Sequence, residues 1–165
     1  MRQPFFMKLM LMLCFALCIA SASARADEVS ISVVYHVDYS ETTRYSLTLT
    51  SVNNLLDAFD AELKPAEVSM VFVGNAIRYT TDNPMTGTPF DTANDAKFNA
   101  DRQLLKERLA SLIKSRHVKV YLCGNTLSEA GIDKAKLYPG VDVTPSGVAK
   151  IAELEHAGAA YLKIQ

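Results

Sequence analysis

The feature that most constrains the fold is an alternation of short apolar, β-branched runs with longer stretches of helical periodicity. Residues 29–37 read as a strand: Val29, Ile31 and Val33 alternate with Ser30 and Ser32, and Val34 and Tyr35 then make the run continuous, as suits a strand covered on both faces. Asp38-Tyr39-Ser40-Glu41 reads as a turn and helix start, with Asp38 and Ser40 both able to cap. Residues 41–62 follow with an apolar stripe of Tyr45, Leu49, Val52, Leu56, Phe59 and Leu63, and Pro65 bars continuation of the helix. Residues 68–73 form the second apolar run, closed by Gly74-Asn75. A second helix is expected over 100–115, with Leu105, Leu109 and Leu112 on one face and Leu104 and Ile113 beside it. Residues 118–123 give a third strand. Thr126-Leu127-Ser128-Glu129 fits a capping box opening a short helix, ended by Gly131. Residues 141–144 form a fourth strand, Pro145-Ser146 starts a helix running to Ala157 with Gly158 at its C-cap, and residues 160–164 close the series. Strands alternating with helices predict an α/β fold, here a flavodoxin-like doubly wound sheet of about five mainly parallel strands with helices on both faces.

Residues 78–99 break the rhythm. They are rich in Thr, Asn, Asp, Pro and Gly and show no period. The stretch reads as a solvated excursion; the alternative is a lid that lays Tyr79, Met85 and Phe90 over a pocket.

The N-terminus has its own pattern. Arg2 and Lys8 precede an uncharged apolar run from Leu9 to Ala20, and Ala24-Arg25-Ala26 fits the small-x-small rule of signal peptidase. The run is too short to span a bilayer, which takes about 20 residues. Residues 1–26 are therefore expected to be a signal peptide, and residues 27–165 a single domain found in the periplasm or secreted, with no membrane association after cleavage. Leu13 and Leu17 precede Cys14 and Cys18, which argues against a lipid anchor. The chain has 17 basic and 18 acidic residues, and three of the basic ones lie in the signal, so the processed domain carries a formal charge of −4. A mildly acidic domain with scattered lysines gives no argument for nucleic acid.

Export changes the cysteine arithmetic. Cys14 and Cys18 leave with the signal and only Cys123 remains, so the domain cannot staple itself with an internal disulfide. A single cysteine in an oxidising compartment is buried, paired between chains, or chemically used. In a doubly wound sheet, ligands bind beyond the carboxyl ends of the strands. The strand ends expected there are His36 and Asp38, Gly74-Asn75, Cys123-Gly124-Asn125 and Thr144-Pro145-Ser146. Cys123 ends a strand just before a helix, where N–H donors and the helix dipole favour a thiolate, and Gly124 is read as leaving room for a substrate to approach the sulfur. The other reading is an inert cysteine that packs like a small apolar residue.

His36 stands where it could assist a thiolate, or serve as a structural residue hydrogen-bonded near a turn. His117 is expected to be exposed, and His156 to sit in the last turn of a helix, where the dipole favours a cation. No His, Asp and Glu spacing suggests a metal site, and no glycine-rich phosphate motif suggests a nucleotide. Neither a metal nor another cofactor is expected.

Several short motifs in order carry a resemblance: Leu122-Cys123-Gly124-Asn125-Thr126-Leu127, Gly131-Ile132, Leu137-Tyr138-Pro139-Gly140-Val141, Val143-Thr144-Pro145-Ser146-Gly147-Val148-Ala149 and Ala160-Tyr161-Leu162-Lys163, together with Val33-Val34-Tyr35-His36-Val37 and Asn54-Leu55-Leu56. On these the chain resembles the DsrE/DsrF-like family. The resemblance implies a flavodoxin-like fold, homo-oligomers (trimers or hexamers), and a link to sulfur handling, in which a cysteine at the position of Cys123 carries persulfide sulfur between donor and acceptor proteins. The expected site is Cys123 as the sulfur-accepting nucleophile, with His36, Asn75 and Asn125 positioning the substrate. The alternative is a non-catalytic homo-oligomer that holds a small ligand, with Cys123 as packing.

Overall fold

The computed structural model describes residues 30–165. The expected signal peptide, with Cys14 and Cys18, lies outside the described residues, as does Val29. The elements are β1 (Ile31–Val37), α1 (Thr42–Ala61), β2 (Ala66–Phe72), a 3-10 turn (Gly74–Tyr79), α2 (Ala96–Arg116), β3 (Lys119–Cys123), α3 (Gly124–Glu129), a second 3-10 turn (Lys134–Lys136), β4 (Val141–Thr144), α4 (Gly147–His156) and β5 (Ala160–Leu162). All strand pairings are parallel, in the order β4-β3-β2-β1-β5. This is the expected α/β class; the order differs from flavodoxin's own 2-1-3-4-5 while keeping helices on both faces.

Alternation along the strands divides the core. Val33, Tyr35 and Val37 of β1, Val68, Met70 and Phe72 of β2, and Val120 and Leu122 of β3 face α1 and α2, which contribute Tyr45, Leu49, Val52 and Leu56, and Phe98, Leu105, Leu109 and Leu112. Val34 and Val71 face the other way, against Ile151 of α4. Burying stripes of this size supplies the apolar driving force that a domain without an internal disulfide needs.

The ends of α1 differ from expectation. Its N-cap is Glu41, with no side-chain cap. Asp38 is instead held by Lys163 at 2.6 Å, and the Ser40 carbonyl accepts the Tyr79 hydroxyl at 2.6 Å. The apolar stripe stops before Leu63, which is 85% exposed. Leu63 takes φ 55, and the N–H groups of Leu63 and Lys64 reach back to the carbonyls of Asp60 and Phe59. This is a Schellman termination built without glycine. In α2, Leu104 likewise faces solvent.

The 78–99 stretch is not a solvated excursion. Tyr79, Met85 and Phe90 are buried and belong to the main core, so they do not lie over an open pocket. The Tyr138 N–H donates to the Thr80 carbonyl at 2.8 Å, the Tyr138 hydroxyl to Asp82 at 2.7 Å, and Arg102 to the Asp82 carbonyl and to Thr92. Its order comes from side chains that accept from nearby backbone: Asn83 from the Met85 N–H, Thr88 from the Phe90 N–H, and Asp91 from the N–H groups of Gly87 and Ala93. Such local turns replace regular structure and leave no period to read.

Candidate functional site

The chain leaves β3 and β4 in opposite directions. β3 runs into α3, whose Leu127 packs toward the main core, whereas β4 runs into α4 on the other face. Adjacent strands whose connections diverge in this way open a crevice at their carboxyl ends, the customary ligand site of doubly wound sheets. Cys123 is the last residue of β3 and lies level with Thr144, the last of β4.

The local structure around Cys123 is not the expected capping box. α3 begins at Gly124, with Cys123 itself at the N-cap. Thr126 lies inside the helix, and its Oγ1 accepts the Gly74 N–H at 2.9 Å. This bond ties the 3-10 turn after β2 to the first turn of α3. The loop after β4 closes the third side. Ser146 caps α4 by accepting the Ala149 N–H, and Gly147 then falls directly against the cysteine. A Cβ at Gly147 would lie 2.6 Å from Val73 Cγ2 and 3.0 Å from Cys123 Cβ.

Gly124 plays a different part from the one expected. A Cβ there would lie 2.9 Å from the Thr144 carbonyl oxygen and 3.3 Å from that of Pro145. Its missing side chain makes room for the backbone leaving β4, not for a substrate.

The sulfur is therefore buried but surrounded by donors. Cys123 is 5% exposed. Burial pushes its thiol up, and the Gly147 N–H, the Thr126 N–H and hydroxyl, and the Asn125 N–H together outweigh that, so the thiol titrates below its ordinary value. Hydrogen bonds to the charged form are the physical cause. A depressed thiol is a better leaving group and is ionised over more of the physiological range, which are the properties that sulfur exchange requires.

Asn75 lies in the 3-10 turn after β2 and Asn125 in the first turn of α3, and both are exposed. Asn125 acts on the sulfur through its backbone N–H.

His36 is elsewhere. It lies on β1, separated from β3 by the whole of β2, or about 10 Å at the usual strand spacing. Its Nδ1 pairs with the Tyr161 hydroxyl of β5 at 2.9 Å, and its Nε2 is 3.8 Å from Asp38, which Lys163 also holds. Burial lowers the His36 pKa, Asp38 opposes this and Lys163 reinforces it. His36 thus belongs to a β1–β5 cluster and is not in the ring of donors around Cys123. His117 is exposed at the left-handed C-cap of α2 and His156 ends α4. Among the described residues, no group of three or more His, Cys, Asp or Glu could hold a metal ion, and no helix is long and apolar enough to cross a membrane.

Sequence reasoning missed Thr126 and Gly147. A signal for Gly147 was present, because Pro145-Ser146 marks a helix start and so places Gly147 at its first turn, beside whatever strand end the helix leaves. Thr126 carried a misleading signal, the capping-box spacing to Glu129.

The model of the DsrE/DsrF-like family matches residues 29–164. Among solved structures, the chain is similar to MTH1491, a protein of unknown function from Methanobacterium thermoautotrophicum, with 25% identity and a TM-score of 0.59 over 81% of this chain and 99% of that one. It also shares its fold with the ychN protein from E. coli, with 16% identity and a TM-score of 0.51 over 81% of this chain and 99% of that one. No curated protein matches it.

Proposed function

The chain belongs to the DsrE/DsrF-like family, a family linked to sulfur relay, and from that membership and the donors converging on Cys123 we propose that it is a single-cysteine persulfide carrier or sulfurtransferase. The observation that carries this reading is the set of three N–H groups and one hydroxyl that lower the Cys123 thiol in spite of its burial. In loading, the Cys123 thiolate attacks the outer sulfur of a donor persulfide, R–S–SH. The Sγ–S bond forms, the donor's S–S bond breaks, and R–S⁻ departs with the bonding pair. In discharge an acceptor thiolate attacks the same outer sulfur, and Cys123 leaves as thiolate. No second thiol of the exported chain is needed. Asn75 and Asn125 hold the incoming group at the rim. His36, held in the β1–β5 cluster, takes no part in either step on this reading.

The same reading takes residues 1–26 as an export signal and residues 27–165 as a periplasmic or secreted domain that assembles into trimers or hexamers and meets a sulfur donor or acceptor protein. N-terminal sequencing of the processed protein is expected to begin at Asp27, and light scattering to give a mass of three or six chains.

One observation favours a second reading, a non-catalytic ligand-binding homo-oligomer in which Cys123 is packing: the residue is only 5% exposed. The rate of alkylation by iodoacetamide at neutral pH separates the two. A carrier reacts faster than a free thiol, since more of its sulfur is ionised. Alkylation slower than a free thiol, accelerated only by unfolding, supports the packing role.

A further inference from the structure

Two arginines bridge α2 to α1, and they are satisfied in different ways. Arg116 donates to Asn53 at 3.0 Å and to the carboxylates of Asp57 and Asp60 at 2.6 and 2.8 Å. Arg108 lies about two turns earlier on α2 and reaches the same helix, where it meets no acid. Its Nη1 donates to the Ser46 hydroxyl at 2.6 Å, and its Nη2 to the Ser46 carbonyl at 3.0 Å and the Thr50 hydroxyl at 2.8 Å. All three acceptors are neutral. A guanidinium has five N–H donors and a permanent charge, so these bonds leave two donors and the charge unmatched. Among the described residues Arg108 forms no ion pair, whereas Arg78 and Arg116 do.

The half-buried Arg108 also lines a cavity of about 260 Å³ between the two helices. It is the only charged residue there. Asn54 of α1 and Ser111 of α2, both exposed, line the cavity too and offer an amide and a hydroxyl. Ser111 stands one turn on from Arg108, on the same side of α2. The volume falls below the roughly 300–1,000 Å³ of sites for drug-sized molecules, which suits a ligand of few heavy atoms. One cation, no acid and further neutral donors make the cavity complementary to a small negative group.

We propose that the groove between α1 and α2 is a binding site for a small oxyanion, with Arg108 as its cationic anchor and Asn54 and Ser111 as neutral donors. The bound anion gives Arg108 the negative charge that Asp57 and Asp60 give to Arg116. The site stands apart from Cys123, which ends β3 and packs against the start of α4, so it does not depend on the sulfur-carrier reading.

The test is a titration of the processed protein with inorganic phosphate, sulfate and acetate in separate arms, followed by nuclear magnetic resonance of the Arg108 Nε–H and the Asn54 side-chain amide. Chloride at matched ionic strength is the control. The expected result is a saturable shift of both signals in at least one oxyanion arm. The tightest arm assigns the class, tetrahedral for phosphate or sulfate and planar carboxylate for acetate. Arg108→Gln is expected to weaken that binding at least about tenfold, the worth of a hydrogen bond to a charged group. Ser111→Asp leaves the arginine in place but sets a carboxylate beside it, and is expected to weaken binding as much. It stands in for R108Q if that variant fails to fold by circular dichroism. No saturable shift in any oxyanion arm, a chloride response equal to the best of them, or a folded variant that binds as the wild type does overturns the proposal. Arg108 would then be a clamp between helices and nothing more.

Discussion

Gly147 stands so close to Cys123 that a Cβ on the glycine would lie 3.0 Å from the cysteine's own Cβ. The contact explains how the start of α4 can deliver an N–H to the sulfur. It also makes the site intolerant of any side chain at position 147. The same added carbon would meet Val73 Cγ2 at 2.6 Å, so Val73, just past the end of β2, and α4 would both have to yield.

Gly147→Ala is therefore expected to destabilise the fold by about 1–3 kcal/mol, the usual cost of overpacking a filled site. It is also expected to raise the Cys123 titration midpoint by moving the N–H away. Urea unfolding and a thiolate titration check the two parts. A variant as stable as the wild type with an unmoved midpoint contradicts the described contact.

Tyr45 gives the opposite expectation. Its ring is fully buried and stacks on Tyr79 with centroids 3.8 Å apart, yet its hydroxyl has no hydrogen-bond partner among the described residues. Tyr45→Phe keeps the stack and removes the unsatisfied group, so stability is expected to stay level or rise by up to about 1 kcal/mol. A loss of more than about 1 kcal/mol in urea unfolding would mean that the hydroxyl is satisfied after all.

The donors around Cys123 also give stability a pH dependence. The folded thiol titrates below the ordinary value of 9.0, so between the folded and unfolded values the unfolded chain binds more protons, and stability rises with pH. The contribution is fully present above the unfolded value and is lost as pH falls through the folded one. The stability of the wild type relative to Cys123→Ala is expected to grow as pH rises towards 9.0 and to level off above it. Urea unfolding of both proteins across that range measures it, and a difference independent of pH would rule out the depressed thiol.

Much of this architecture was legible in the sequence, for reasons visible in particular residues. Val33, Tyr35 and Val37 alternate, and Tyr45, Leu49, Val52 and Leu56 step by turns of a helix, so strand and helix types follow from period alone. Cys123 could be placed at a strand end because an apolar run stops there before a glycine. Lateral order could not be read, and that is why His36 seemed available to the thiol: nothing in the local pattern of β1 says that β2 lies between it and β3. Thr126 was misread because its spacing to Glu129 imitates a cap, while its actual partner, Gly74, is 52 residues away. The 78–99 stretch hid its burial because Asn83, Thr88 and Asp91 satisfy backbone groups locally, and the resulting turns carry no repeating pattern.

The central claim is that Cys123 accepts and passes on sulfur, and intact mass spectrometry after incubation with a small-molecule persulfide donor tests it most directly. The account predicts that the wild type gains the mass of one sulfur atom, loses it when an acceptor thiol is added, and that Cys123→Ser gains nothing. No added sulfur on the folded wild type, or the same gain on the serine variant, would contradict it.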